Sequence, residues 1–171
     1  MNREIFLIDA NVLVTPKLSF YPFDFAPSFW TQMETHISNG SIAILDLVRG
    51  EILQGNDELK DWMGKVAIGT LVDRRNAAIL ENYSAVLQHL QENPCYKPSA
   101  LAEWARTTVA DPWLIATAAA YNYTIITFEA HNPGLNDRNP SKVAKIPDVA
   151  DVFGVKTENL YYLMRVLGFQ L

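Results

Sequence analysis

Apolar residues change their spacing several times along this chain, and each change marks an element. Short continuous runs at 4–9 (EIFLID), 41–45 (SIAIL) and 123–128 (YTIITF) have the length and β-branched content of buried strands. Between them the period lengthens to three and four. Phe29, Trp30, Met33 and Ile37 predict a helix over 28–38, stopped by Asn39-Gly40. Leu59, Trp62, Met63 and Val66 predict another behind an Asp57 cap, and Ile79, Tyr83, Val86, Leu87 and Leu90 a long one that "ENPCYKP" ends. Asp46 stands at the N-cap of a short helix broken at Gly55, and a further helix is predicted over 101–108. "ADPWLIATAAAYN" starts with Asp111-Pro112, an N-cap and first helical position. "VAKIP" (143–147) reads as a short fourth strand, and Thr157 as the cap of a closing helix carrying Leu160, Leu163, Met164 and Leu167. Residues 16–27 and 130–142 are predicted connections.

Strands alternating with helices predict an α/β fold with a small, mostly parallel sheet of four to five strands flanked by helices. The stretch from 46 to 110 is too long for one crossover and is expected to be an all-helical enlargement. Length and an apolar fraction of 49% suit a single domain over 1–171 with one sizeable core. The longest apolar runs are interrupted by Asp9, Asp46 and Asp111, so no membrane segment is expected. A single cysteine, Cys95, and a start without a basic segment and signal core predict a cytoplasmic protein.

A formal net charge of −5 argues against broad electrostatic capture of nucleic acid, unless the negative charge is concentrated where cations bind. Its placement favours the second case. In parallel α/β sheets ligands bind beyond the carboxyl ends of the strands. Asp9 ends the first strand, Glu51 follows the second, and Glu129 follows the third. Asp111 opens the helix that leads into the third strand, and docking of that helix can bring its start to the same rim. Converging carboxylates raise each other's pKa unless cations neutralise them. An oxygen-only donor set predicts Mg²⁺ or Mn²⁺, as in phosphodiester hydrolysis. Asn11 and Thr127 are positioned to orient the ligands through hydrogen bonds. The three histidines, His36, His89 and His131, have no zinc-ligand spacing.

"IDANVL", the acid at Glu51, "ADPWLIATA" and "IITFEA" together resemble the PIN-domain ribonucleases. "YPFDFAPSFW", "GNDELKDWM", "ADPWLIATAAAYNYTIITFE" and "KIPDVADVFGV" resemble more particularly a bacterial PIN-like family long carried as a domain of unknown function. The likeness runs over nearly the whole chain. It implies a Rossmann-like sheet and Mg²⁺- or Mn²⁺-dependent RNA hydrolysis leaving a 5′-phosphate and a 3′-hydroxyl, with no protein nucleophile. It also implies a toxin role in which a co-expressed antitoxin blocks the site, as in VapC-like proteins, and pairing of two copies. Asp9, Glu51 and Asp111 match the family's acidic triad; Glu129 stands where the family often has Asp.

Each acid taken singly has an ordinary role: Asp9 bonded to loop amides, Asp111 as a cap, Glu51 and Glu129 solvated. Joint placement is what carries the metal-site expectation. Two other classes compete. A PIN-like module that binds RNA or protein without cutting would not require the metal. A haloacid-type phosphatase needs a second Asp two residues beyond the first, and that position is Asn11. Arg74, Arg75, Arg138, Lys142 and Lys145 are expected to be a solvated face that RNA phosphates could use, and the aromatics of "FYPFDF" to pack over the core.

Overall fold

The computed structural model describes residues 3–171. The first apolar run forms β1 (Phe6–Ile8), and the chain turns at once into α1 (Asn11–Thr15) and a π-helical turn, Pro16–Phe20. There follow α2 (Pro27–Ser38), β2 (Ile42–Leu45), α3 (Asp46–Leu53), α4 (Glu58–Lys65) and β3 (Leu71–Val72). The second half runs through α5 (Ala77–Glu92), α6 (Pro98–Trp104), α7 (Asp111–Tyr121), β4 (Thr124–Ile126), α8 (Ile146–Val152), β5 (Thr157–Glu158) and α9 (Leu160–Leu167).

The strands form one five-stranded sheet in the order β3-β2-β1-β4-β5, and every pairing is parallel. From β1 the chain steps outward through β2 to β3, then returns to the other side of β1 for β4 and β5. Order therefore reverses at the β1–β4 pair, and connections leaving two such strands in opposite directions open a crevice at their carboxyl ends. Phe6 pairs with Thr124 and Ile8 with Ile126, which sets the residues just beyond these strands side by side.

The strands of the first half are wholly apolar because helices cover both faces. Phe6, Leu7, Ile8, Ile42, Ile44 and Leu45 have no exposed surface. The start of α7 is as deeply set: Leu114, Ile115, Ala116 and Thr117 are buried consecutively, so it lies inside the protein rather than on it. The helix packs against α5, α8 and β4. Asn122, at φ 56°, ends α7 in the left-handed conformation that Asn tolerates, and Tyr123 N–H donates to Ala118 O at 3.1 Å.

Several expectations need correction. The stretch 46–110 is not purely helical, since Leu71–Val72 adds an edge strand beside β2. Two residues carry no detectable periodicity, and only the open edge of β2 recruits them. "VAKIP" is not a strand: Pro147 cannot donate to a ladder and instead opens α8. Thr157 lies in β5, and Asn159 is the cap of α9, its Oδ1 accepting from Tyr162 N at 2.9 Å. The helix predicted over 101–108 begins earlier, at Pro98, and ends at Trp104. Of the proposed caps, Asp57 accepts from Lys60 N at 3.2 Å, whereas Asp46 and Asp111 are first helical residues after Leu45 and Ala110.

One glycine is a steric requirement. Between α4 and β3, Gly69 lies so close to the end of α2 that a Cβ there would stand 2.3 Å from Ser38 O and 2.9 Å from Gly40 N. Both obstacles are backbone and cannot swing away. Gly69→Ala is expected to lower the unfolding free energy by about 1–3 kcal/mol in urea titration. Gly50→Ala, with nothing within 4 Å of the added methyl, is expected to be neutral or stabilising by up to ~1 kcal/mol.

Candidate active site

The β1–β4 crevice collects the acids. Asp9 follows β1 directly, and its N–H donates to Ile126 O at 3.1 Å, continuing the ladder one step past the strand. Its side chain is only 7% exposed, which makes it a carboxyl among apolar strands with little water to stabilise a charge. Thr127, one residue past β4, meets it: Thr127 Oγ1 donates to Asp9 Oδ2 at 3.3 Å and accepts from Glu129 N–H at 3.1 Å. The parallel register makes this contact, because neighbouring positions beyond two paired strands face one another.

Asp111 reaches the same place from α7. Ala110, which has no side-chain acceptor, is the N-cap, and Asp111 enters as the first helical residue. Burial pushes the Asp111 carboxyl up to about 7, and the charges of Asp9, Glu129 and Glu51 add to that, against a smaller lowering by Lys145. Burial likewise lifts Asp9 to about 6, helped by Glu129 and Glu51 and opposed by the Thr127 hydrogen bond and the Ala10 amide. Glu51, on α3, is raised by burial. Glu51 and Glu129 thus both lie within electrostatic reach of Asp9 and Asp111.

They are not equally free. Glu129 Oε2 accepts from Ile146 N–H at 2.7 Å, and its Oε1 lies 3.4 Å from Lys145 Nζ. By contrast Asp9, Glu51 and Asp111 have no Lys or Arg within ion-pair distance among the described residues. Those three offer hard oxygen donors suited to a divalent cation. As they stand, no three acidic, imidazole or thiol groups among the described residues close on one point that would hold an ion. A cation there has to draw the side chains together. Asn11, expected to orient a ligand, opens α1 exposed.

Sequence reasoning passed over two features of the rim. The first is the double bond of Glu129 to the start of α8, for which the acid and "KIP" were available as signals but not their proximity. The second is the setting of Arg74, expected on a solvated face: it lies 5.7 Å from the Trp113 ring centroid and 3.7 Å from Asp46. Trp113 is itself stacked on Tyr83 at 3.7 Å between centroids. Arg74 and Glu51 share the wall of a cleft of about 490 Å³ with Gln54 and Thr108. His131 and Asp148 do other work: His131 pairs with Asp151 at 2.8 Å, and Asp148 accepts from Asn132 N–H at 3.0 Å, fastening the 130–142 loop to α8.

Residues 6–171 match the family described as Domain of unknown function (DUF4411). The chain belongs to that family. Among solved structures it is similar to VapBC2 from Rickettsia felis, determined bound to a DNA fragment from the VapBC2 promoter. The likeness has a TM-score of 0.51 at 16% identity and covers 91% of this chain and 98% of that one. At that identity it establishes a shared fold, PIN-like in its topology, and nothing of chemistry. No protein of curated function matches the sequence.

The raised carboxyls fix a direction for stability against pH. Asp9 and Asp111 bind protons more tightly folded than unfolded, so their contribution is complete below about pH 4 and is lost as pH rises through about 6 and 7. In chelator, the melting temperature of Asp9→Asn and Asp111→Asn relative to wild type is expected to rise progressively between pH 4 and pH 7.5. A difference independent of pH across that window would contradict the placement of these groups.

Proposed function

We propose that this DUF4411 protein is a Mg²⁺- or Mn²⁺-dependent endoribonuclease acting on RNA phosphodiester bonds. The observation that carries the reading is the meeting of Asp9, Asp111, Glu51 and Glu129 in the switch-point crevice, where burial and mutual charge hold two carboxyls far above their ordinary range. Three of these acids, Asp9, Glu51 and Asp111, have no Lys or Arg partner among the described residues, an arrangement that is costly without a cation and supplies nothing to the core. Asp9, Glu51 and Asp111 would hold the principal ion, and Glu129, released from Lys145, would assist at a second. A bound divalent ion supplies Lewis-acid stabilisation of charge on the phosphate.

The chain's own groups do the positioning. Thr127 fixes the orientation of the Asp9 carboxylate from below. Lys145 tempers the negative field and can meet a phosphate oxygen, as can Arg74 at the other end of the rim. In the reaction water adds to phosphorus and the bond to the 3′-oxygen breaks, leaving a 5′-phosphate and a 3′-hydroxyl.

The likeness to VapBC2 supports a toxin role with an antitoxin partner that covers the rim, and to that extent a VapC-like protein; a homodimer belongs to the same proposal. A second reading, a PIN-like module that binds RNA or protein without cutting, is favoured by one observation. Glu129 is already committed to Ile146 N–H and Lys145.

Asp9→Asn and Asp111→Asn are expected to reduce Mn²⁺-dependent cleavage of a structured RNA panel by more than about 100-fold, and Thr127→Val by roughly 10- to 100-fold. Calorimetric titration with Mn²⁺ should lose its heat in the two carboxamide variants. Full cleavage by Asp9→Asn, or activity that survives chelator, would reject the reading; Mn²⁺ binding absent from the wild type would favour the second one.

A further inference from the structure

Beside the acids, at the carboxyl ends of β4 and β5, lies a second cavity of about 360 Å³. Thr127, Phe128, Glu129, His131, Glu158 and Asn159 line it. Successive residues on an extended chain point to opposite sides. Thr127 turns inward to Asp9 and is 3% exposed, and Phe128 turns out and is 38% exposed. Phe20, at the end of the π-helical turn, comes against it with ring centroids 6.2 Å apart and a 42° tilt, and is itself 44% exposed. Phe20 comes from "FYPFDF", where Tyr21 and Phe23 do pack inward, on Phe29 and Trp30.

Scattered exposed apolar residues are ordinary, but two aromatic rings set together on a rim of acids and amides are a localised apolar surface. What suits that surface is flat, apolar on its faces and polar at its edge. A nucleobase has that character, and stacking on an aromatic ring is a general way to hold one. The remaining walls supply edge partners. Asn159 uses its Oδ1 on Tyr162 N–H, leaving its NH₂ as the end that can donate. Glu158 uses its backbone oxygen on Thr127 N–H, which keeps the cavity one residue from the Asp9 contact. A continuous protein partner would need an apolar groove running past the pair, whereas the apolar wall beyond Phe128 is confined to Ala130 and Pro147, set among Thr, Glu, His and Asn side chains.

We propose that the cavity walled by Phe128, with Phe20 behind it, is a nucleobase subsite that seats one unpaired base of the RNA beside the scissile phosphate. The proposal rests on the nuclease reading for the phosphate but not for the base contact, so the two can fail separately. The base seat does not depend on the metal.

The test uses a four-nucleotide RNA with 2-aminopurine at an internal position, whose fluorescence is quenched by stacking. The protein is the full chain carrying Asp9→Asn and Asp111→Asn, in chelator, so that like charge at the rim is reduced and binding is read without cutting. Titration is expected to quench the probe. Adding Phe128→Ala should remove the quenching and weaken binding roughly tenfold, Phe20→Ala should do so to a smaller extent, and Phe128→Tyr should restore both. Because Phe128 is partly exposed, its truncation is expected to leave the far-ultraviolet circular dichroism unchanged. Binding within twofold of the parent with quenching intact in Phe128→Ala overturns the subsite, as does a parent that binds without quenching or fails to bind. Cleavage by the wild type in Mn²⁺ is measured in parallel. Its absence alongside Phe128-dependent quenching removes the nuclease and keeps the subsite; its presence alongside Phe128-independent binding removes the subsite alone and leaves the aromatic pair to a protein partner.

Discussion

A carboxyl placed where β1 leaves the core, with a hydroxyl opposite it just past β4, organises this molecule. Asp9 cannot be moved outward, because its own N–H belongs to the ladder through Ile126 O. Nor can it be neutralised by a neighbouring cation, since no Lys or Arg among the described residues lies within ion-pair distance of it. The Thr127 hydroxyl gives it one hydrogen bond in a setting where an isolated charge is costly. The remainder of the cost is met by shifting the carboxyl upward in pKa, or by a cation.

That arrangement follows from topology more than from any local preference. Five parallel strands in the order β3-β2-β1-β4-β5 put the reversal of strand order at β1 and β4. Everything just beyond those two strands is driven to one crevice. The burial of α7 then brings Asp111 to it, since a helix that is apolar on nearly every side has only its ends to offer the surface. Glu51 arrives because α3 starts immediately after β2, without a loop to carry it away. Acids from four distant segments thus come within one another's influence around Asp9 and Asp111, with no residue of the chain having been placed for its neighbours in sequence.

The rim is also graded from one edge to the other. Arg74 stands near β3 and the acids lie over β2, β1 and β4. The aromatic pair and its polar cavity lie over β4 and β5. On the proposed reading, cation, carboxylates and apolar ring surface in succession would meet the charged phosphates and flat bases of a nucleotide chain.

Residue order was enough to place three of the strands and most helices, because buried strands must be continuously apolar, and it put Asp9, Glu51, Asp111, Glu129 and Thr127 forward as candidates. Continuous apolarity says nothing of two-residue edge strands, so β3 and β5 needed their neighbours' open edges, and "VAKIP" was misassigned for want of them. Nor does spacing along a chain carry distance in space. Only folding decided that Thr127 bonds Asp9, that Glu129 is held by Ile146 and Lys145, and that Phe20 meets Phe128 from over a hundred positions away. Those contacts come from parallel register and helix docking, in which each residue's partners are set by elements far from it in sequence. Local pattern fixes which face of an element is apolar; the closing of the sheet fixes what that face, and the ends it leaves exposed, will touch.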